Sequence, residues 1–287
     1  MDWEELTMAK VIIEAAINGA TATKKLNPHI PYSAQEIATD AIAACNAGAA
    51  LVHFHARDPE TGKFVFEHGS HYLEVYRRAR AASEVLLWPG ADIMHMSKRE
   101  PASMPDLLFC DPGSLNLVSY DPTTKRIRNE NSIYKNSIDY TRRHLAKVRE
   151  LGLRPTVNVF EPGFVRATLL FLEQGLLTEP LMVKFYFGGP ELPFGLPPSL
   201  KSLEAYLEMF SGVRINWFAA TLGGDNLPLV PIIVSNGGHV RVGLEDHHYA
   251  AEGHLSNAQI VERAATAVRS AGAEVATPVE ARRILEL

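Results

Sequence analysis

The sequence contains little cysteine, no long apolar run and no strong excess of charge of one sign. Its 287 residues include two cysteines, Cys45 and Cys110, which makes a disulfide framework implausible and favours a reducing compartment. No apolar run approaches the roughly 20 residues that a membrane-spanning helix requires. The formal net charge of −5 gives no reason to expect nucleic acid or an anionic membrane as a partner. A small molecule is therefore the expected partner.

Signals for export and for a domain boundary are also missing. The first 16 residues, MDWEELTMAKVIIEAA, carry acidic side chains and lack the basic and then apolar layout of a signal peptide. No stretch is rich in serine and glycine or low in complexity, so no linker is indicated. We expect a cytoplasmic protein in which residues 1–287 form one domain.

Short apolar runs alternate with helical patterns along the whole chain. The segment after the first run has capping-box spacing at Ser33 and Glu36, and Gly48 marks its end. Eight such units in a chain of this length predict an α/β fold, a closed (β/α)8 TIM barrel. The third unit is the weakest, because MSKREPASM is a poor helix. The runs that predict strands are 10–16, 50–55, 84–88, 107–111, 154–160, 181–187, 214–220 and 239–245.

Two histidines lie at the end of the second predicted strand, in the stretch HFHARD. Because side chains alternate along a strand, His53 and His55 point to the same face, and such a pair can bind a metal ion. A catalytic site for a transition metal needs at least a third protein ligand. An isolated pair of this kind is better interpreted as hydrogen-bonded core residues. The prediction of a metal site therefore depends on a third ligand elsewhere in the sequence.

The eighth predicted strand supplies that third ligand. In HVRVGLED, the valines and the leucine share the face toward the helices, whereas Arg241 and Glu245 point into the barrel mouth. Glu14 is predicted at the C-terminal end of the first strand. Strands eight, one and two are neighbours in a closed barrel, so Glu245, Glu14 and the two histidines are expected to converge. Two histidines, one carboxylate and an open position are typical of catalytic zinc.

Structural interpretations of these polar residues stay open. An ion pair of Arg241 with Glu245, Asp246 or Glu14 explains the pattern as well as a catalytic role does. The residues His247 and His248 follow the strand end and are interpreted as loop or substrate-facing residues. Five other histidines in polar or helical surroundings are expected at the surface: His29, His68, His71, His144 and His254.

Six longer segments carry a more specific pattern. They are IIEAAINGA, GAALVHFHARDPETG, GSLNLVSYD, INWFAATLG, NGGHVRVGLEDHHY and the C-terminal stretch 255–287. Together they resemble the β-keto acid cleavage enzymes, the family typified by 3-keto-5-aminohexanoate cleavage enzyme. The resemblance extends over essentially the full length of the chain.

The resemblance implies a zinc-dependent barrel enzyme with one zinc ion per chain. Such an enzyme converts a β-keto acid and acetyl-coenzyme A (acetyl-CoA) into acetoacetate and a new acyl-CoA, in a reaction of the retro-Claisen type. The resemblance also implies a homo-oligomer, either a dimer or a tetramer. The residues that the resemblance assigns are the metal ligands His53, His55 and Glu245 and the catalytic residues Glu14, Arg241 and Asp246.

The chemistry asks for the same groups. Cleavage of a carbon–carbon bond next to a ketone requires a Lewis acid on the ketone oxygen, which the metal supplies. Asp246 is the first candidate for the base, and Arg241 would keep it ionised and oriented. Glu14 is expected to position the substrate or the base.

Two segments depart from the family pattern. After strand three the family carries a Ser/Thr-Gly-Gly turn, whereas this chain has LLWPGADIMH, in which Asp92 would favour a cationic group. Near the end of strand four, Phe109 and Cys110 stand in place of a small hydroxyl residue. The substrate carboxylate is therefore expected to be held differently, with Ser114 and Asn116 as the remaining donors near the mouth.

Two other functions compete with this hypothesis. A metal-dependent hydrolase of the amidohydrolase type also presents a His-x-His pair, but on strand one and with further histidine ligands. A catalytically inert metal-binding barrel is the other alternative. A purely structural metal normally has four protein ligands and needs no unpaired charges beside it. The charged residues Glu14, Arg241 and Asp246 therefore argue against an inert barrel.

Overall fold

Eight parallel strands form a barrel in the computed structural model, which describes residues 9–97 and 99–287. The sequence-based prediction of a TIM barrel is thereby confirmed. Residues 1–8, which belong to the stretch used to argue against a signal peptide, lie outside the described residues. The barrel strands, labelled β1 to β8 in chain order, are Ile13–Ala16, Leu51–Phe54, Leu86–Pro89, Leu107–Cys110, Arg154–Val159, Leu181–Gly188, Ile215–Leu222 and His239–Val242.

Helices follow the strands and cover the outside of the barrel. The first of them begins and ends as the sequence predicts, because Ser33 and Glu36 form a reciprocal capping box and Gly48 ends the helix in a left-handed conformation. No described helix is both long and apolar enough to cross a lipid bilayer. The helices, labelled α1 to α8, are Ala34–Ala47, Ser70–Arg80, Ile138–Leu151, Pro162–Glu173, Leu200–Met209, Val230–Ser235, Asn257–Ser270 and Pro278–Ile284.

Both ends of the predicted strand set differ from the structure. The first predicted strand is divided, since Lys10–Val11 pairs with Glu274–Val275 outside the barrel sheet. The eighth strand ends at Val242, before the predicted end. Gly243 turns the chain there with a φ of 147°, and a Cβ at this position would lie 2.1 Å from the carbonyl oxygen of Ala16. Only glycine allows so close an approach.

The barrel is least regular between β3 and β4. Among the described residues of this connection, the helical structure is a single 3-10 turn, Pro101–Ser103, in agreement with the weak helical pattern of the third unit. The strands β3 and β4 are the two ends of the sheet order. Asp106 bridges them: its N–H donates to the carbonyl oxygen of Leu87 at 2.8 Å, and its Oδ2 accepts from the N–H of Leu87 at 2.8 Å.

An excursion of two antiparallel ribbons follows β4 and was not predicted. Leu115–Asn116 pairs with Ile133–Tyr134, and Ser119–Asp121 pairs with Arg126–Arg128. The excursion returns the chain to α3 and carries Tyr134 back to the end of β4, where its hydroxyl donates to Asp111. It therefore contributes to the wall of the barrel mouth.

The interior of the barrel changes from apolar to charged toward its C-terminal end. Leu51, Leu86, Met182 and Phe218 belong to one buried apolar cluster in the barrel interior. Positions further along the strands carry polar and charged side chains. Function in such barrels lies at this end.

We predict that Asp106→Ala opens the β3–β4 junction. The carboxylate also accepts from Arg80 at 2.9 Å and from Arg282 at 2.6 Å, so the change leaves three donors without their acceptor. The free energy of unfolding should fall by about 2–3 kcal/mol in urea denaturation. The matched control is Asp139→Ala on the exposed face of α3, which should change stability by less than about 0.5 kcal/mol. Equal effects of the two changes would contradict this account.

Candidate active site

Three side chains at the C-terminal ends of β2 and β8, the two strands that flank β1, bring potential metal ligands together. His53 lies on β2, His55 directly follows that strand, and Glu245 follows β8. The Nε2 atoms of the two imidazoles are 2.9 Å apart. The carboxylate oxygens of Glu245 lie 3.3 Å from Nε2 of His53 and 3.4 Å from Nε2 of His55. One ligand atom from each residue lies within 4.8 Å of the others, so a single ion can contact all three.

The chemistry of these donors fits a divalent metal ion. Burial lowers the pKa of His53 to about 4, so its imidazole is neutral at pH 7. Its Nδ1 lies 3.1 Å from the carbonyl oxygen of Trp88, which fixes the ring and leaves Nε2 available as a ligand. Burial opposes ionisation of Glu245, but His53 and Arg241 outweigh it and lower the pKa of that carboxyl. Two imidazoles with one carboxylate are a donor set of catalytic zinc.

Glycines beside the cluster leave room for its side chains. A Cβ at Gly90, just after β3, would lie 2.2 Å from Cε1 of His55. At Gly19, which has a φ of 60°, a Cβ would lie 2.7 Å from Cγ of Glu245. A larger residue at either position would displace a ligand candidate.

The loops that follow β1 and β2 are held together by buried hydrogen bonds. Asn18 accepts from the N–H of His55 at 2.9 Å and donates to the carbonyl oxygen of the same residue at 2.9 Å. Arg57, from the HFHARD stretch, donates to the carbonyl oxygens of Gly19, Ala22 and Gly62. These bonds fix the backbone of His55 and the loop that carries Gly19.

A buried ionic layer lies one step deeper in the barrel. In the strand register Glu14 is opposite Arg241 and Leu51, whereas Ala16 is opposite His53. Glu14 is therefore the second residue of β1, and its predicted position at the strand end was wrong. One of its carboxylate oxygens accepts from Lys184 on β6 and the other from Arg241 at 2.9 Å. Glu14 does not belong to the described group of metal-ligand candidates.

Arg241 connects the ionic layer to the strand end. Its Nη1 binds Glu14, its Nη2 lies 3.3 Å from Glu245, and its Nε and Nη2 donate to the two oxygens of Asp246 at 2.9 and 2.8 Å. Arg241 therefore forms the ion pairs that the structural interpretation of the sequence expected, with Glu14, Glu245 and Asp246. Burial raises the pKa of Asp246, and Arg241 opposes that effect. A base role for Asp246 must compete with the guanidinium that occupies both of its oxygens.

A cavity of about 220 Å³ opens beside the metal-ligand candidates. Its walls are largely aromatic, and Arg241 and Glu245 contribute charged groups. The polar residues Asp111 and Asn158 also line the cavity. The aromatic residues that line it are Phe64, Phe66, Trp88, Phe109, Tyr134, Phe160 and Tyr186.

The substrate-binding residues predicted from sequence do not line this cavity. Asp92 is half-buried and accepts from the N–H of Met94 at 2.9 Å, which makes it part of a local turn. The hydroxyl of Ser114 is engaged with the backbone of Asn136. Asn116 is exposed on the short ribbon after β4. Their roles in substrate binding stay predictions, and the positions of all three side chains argue against them.

Four residues of the site were not predicted from the sequence. Lys184 was placed inside an apolar strand run, although a lysine among buried strand residues signals a buried partner. Asp111 and Asn158 were included in the predicted strands 107–111 and 154–160, and no role in the site was assigned to either residue. Tyr134 had no sequence signal, because it reaches the cavity only through the excursion after β4.

His144 was expected at the surface and is buried on α3. Its Nε2 lies 2.8 Å from the carbonyl oxygen of Phe109, and burial lowers its pKa to about 4. His29 and His254 are exposed, as expected. His247 and His248 lie outside the group of metal-ligand candidates found in the described residues.

Comparisons with known proteins agree along the whole barrel. The family model described as beta-keto acid cleavage enzyme matches residues 10–287. The 3-dehydrocarnitine:acetyl-CoA trimethylamine transferase of Rhizobium meliloti (strain 1021) is 32% identical, over 97% of each chain. The 3-keto-5-aminohexanoate cleavage enzyme of Fusobacterium nucleatum subsp. nucleatum is 30% identical, over 98% of this chain and 99% of its own.

A solved structure supports the fold independently. The binary complex of ObcA with oxaloacetate superposes with a TM-score of 0.69 at 18% identity. The match covers 91% of this chain and 68% of that chain. At this level of identity the likeness concerns the barrel fold alone.

We predict that Lys184→Met destabilises the protein by about 3 kcal/mol, because it leaves Glu14 buried with one cationic partner fewer. The double variant with Glu14→Gln should lose less than the sum of the two single changes, since the partners are removed together. Urea denaturation measures all three. Lys24→Met, at an exposed pair with Glu36, is the control and should cost less than about 1 kcal/mol. Additive losses would contradict the coupling.

Proposed function

Because the chain belongs to the β-keto acid cleavage enzyme family, we propose that it converts a β-keto acid and acetyl-CoA into acetoacetate and a new acyl-CoA, using zinc bound by His53, His55 and Glu245. The single observation that carries the metal assignment is the convergence of these three donors beside one cavity. The acetyl-CoA co-substrate is supported by the name of the Rhizobium relative.

The proposed reaction exchanges two acyl groups. A base takes a proton from C2 of the β-keto acid, and C2 attacks the acetyl carbon of acetyl-CoA, which releases the coenzyme A thiolate. The thiolate adds to the C3 ketone carbon, and the bond between C2 and C3 then breaks with its electron pair on C2. C2 takes the proton back, so the products are acetoacetate and the new acyl-CoA. A divalent ion held by the three ligands supplies a Lewis acid for the ketone oxygen, since three protein ligands leave a coordination position free.

The charged residues beside the cavity have separate tasks in this proposal. Arg241 lines the cavity and offers a fixed positive charge to the substrate carboxylate. Asp246 lies against Arg241 and remains the first candidate for the base. Glu14 lies deeper and acts by holding Arg241 in place.

The aromatic walls exclude water from the reacting groups. Trp88 stacks on the ring of His53, with 3.7 Å between centroids, and the ring centroid of Tyr186 on β6 lies 5.1 Å from Cζ of Arg241. In such surroundings fixed charges act more strongly on a developing negative charge than they would in water.

The alternatives derived from sequence are less well supported. The histidine pair lies at the end of β2 and the carboxylate follows β8, which departs from the amidohydrolase arrangement with its pair on strand one. Membership in an enzyme family opposes the inert barrel. The cytoplasmic location and the homo-oligomeric state, a dimer or a tetramer, stay predictions.

We predict that the zinc-loaded protein forms acyl-CoA from acetyl-CoA and at least one member of a panel of short β-keto acids. His53→Ala should lower kcat/KM by more than about 100-fold and reduce the bound zinc from one ion per chain, because a ligand is lost. His29→Ala, an exposed histidine, is the control and should keep both. Product formation is followed by chromatography and metal content by elemental analysis. No acyl-CoA from any member of the panel would refute the proposed function.

A further inference from the structure

A fully buried asparagine joins three parts of the barrel near its C-terminal end. Asn257 is the first residue of α7. Its Nδ2 donates to the carbonyl oxygen of Ile17 at 2.9 Å and to Oδ2 of Asp40 at 2.6 Å. Its Oδ1 accepts from the N–H of Leu244 at 3.0 Å. One side chain therefore connects the segment after β1, the segment after β8 and the outer helix α1.

The orientation of this amide is unambiguous. Its nitrogen faces two oxygens and its oxygen faces an N–H, so an exchange of the two atoms would lose all three hydrogen bonds. An apolar side chain at the same position would leave one buried donor and two acceptors without a partner. The backbone on both sides of the amide thus depends on Asn257.

One of these hydrogen bonds lies directly before a metal-ligand candidate. Leu244 precedes Glu245 and lies beyond the end of β8, after the turn at Gly243. The N–H of Glu245 donates to the carbonyl oxygen of Ala16 at 3.0 Å, and the N–H of Leu244 donates to Asn257. These hydrogen bonds of two successive residues fix the backbone of Glu245.

The hydrogen bond to Ile17 connects Asn257 with the two histidines. The N–H of Ile17 donates to the carbonyl oxygen of His53 at 3.0 Å. The next residue, Asn18, exchanges two hydrogen bonds with the backbone of His55. Asn257 is not among the residues that line the cavity, so it can act on the metal site only through these backbone segments.

We propose that Asn257 is a positioning residue of the metal site. It holds the backbone of Glu245 at a fixed place relative to the backbones of His53 and His55, and so arranges the three ligands for one ion. The inference rests on the proposed function, of which the zinc ion is a part. Groups that orient metal ligands from outside change metal affinity by roughly 10–100-fold when they are removed.

A second buried asparagine provides a matched control. Asn27 is fully buried as well. Its Nδ2 donates to the carbonyl oxygens of His248 and Leu255 at 2.9 and 3.0 Å, and its Oδ1 accepts from the N–H of His29 at 2.9 Å. It makes the same number and kind of hydrogen bonds as Asn257, but none of its partners is next to a ligand candidate in the chain.

Zinc affinity of the two asparagine variants tests the proposal. Asn257→Leu and Asn27→Leu should lose similar stability in urea, because each loses three buried hydrogen bonds. Competition with a chelator should show zinc affinity about 10-fold or more weaker in Asn257→Leu, and changed by less than about twofold in Asn27→Leu.

A milder variant keeps the test decisive if Asn257→Leu does not fold. Asp40→Ala removes one acceptor of the amide and should weaken zinc binding by about three- to fivefold. An equal loss of zinc affinity in Asn257→Leu and Asn27→Leu, or an unchanged affinity in Asp40→Ala, would overturn the proposal.

Hydrogen exchange in the metal-free protein separates this inference from the proposed function. The amides of Leu244 and Glu245 should exchange about 10-fold or more faster in Asn257→Leu than in Asn27→Leu, because their segment is released. This result would support the positioning role even if no keto acid is cleaved. Equal exchange of these two amides in both variants would overturn it.

Discussion

The parallel register of three strands is the constraint on which the site depends. Backbone pairing places Arg241 of β8 opposite Glu14 of β1, and Ala16 of β1 opposite His53 of β2. The pairing extends past the end of β8, since the N–H of Glu245 donates to the carbonyl oxygen of Ala16 at 3.0 Å. A shift by one residue would turn every side chain to the opposite face. The register therefore brings the two imidazoles and the carboxylate to one point.

The charges of the barrel mouth form two groups, of which Arg241, Glu245 and Asp111 line the cavity. The first contains the carboxylates of Glu14, Glu245 and Asp246 with the cations of Lys184 and Arg241, and has one net negative charge when all are ionised. A divalent ion at the three proposed ligands would reverse its sign and make it complementary to an anionic substrate head. The second is the carboxylate of Asp111, outside this ion-pair network.

The barrel and the metal-ligand candidates were accessible from sequence because they rest on local patterns. Apolar runs identified the eight strands, and alternation on β8 identified the inward direction of Arg241 and Glu245. The depth of Glu14 in the barrel was not predictable. A charged residue in a strand was taken to mark the end of that strand, whereas Glu14 lies inside the barrel and is paired there with Lys184 and Arg241. Tyr134 and Asp111 are 23 positions apart in the chain and meet through the excursion after β4. Such long-range contacts leave no periodic signal in a sequence.

X-ray absorption at the zinc edge tests most directly whether His53, His55 and Glu245 hold one ion. The account predicts two nitrogen neighbours at about 2.0–2.1 Å, with the remaining first neighbours oxygen at about 2.0–2.2 Å. It also predicts that His55→Ala removes one of the nitrogen neighbours. A sulfur neighbour at about 2.3 Å, or a spectrum that His55→Ala leaves unchanged, would contradict the account.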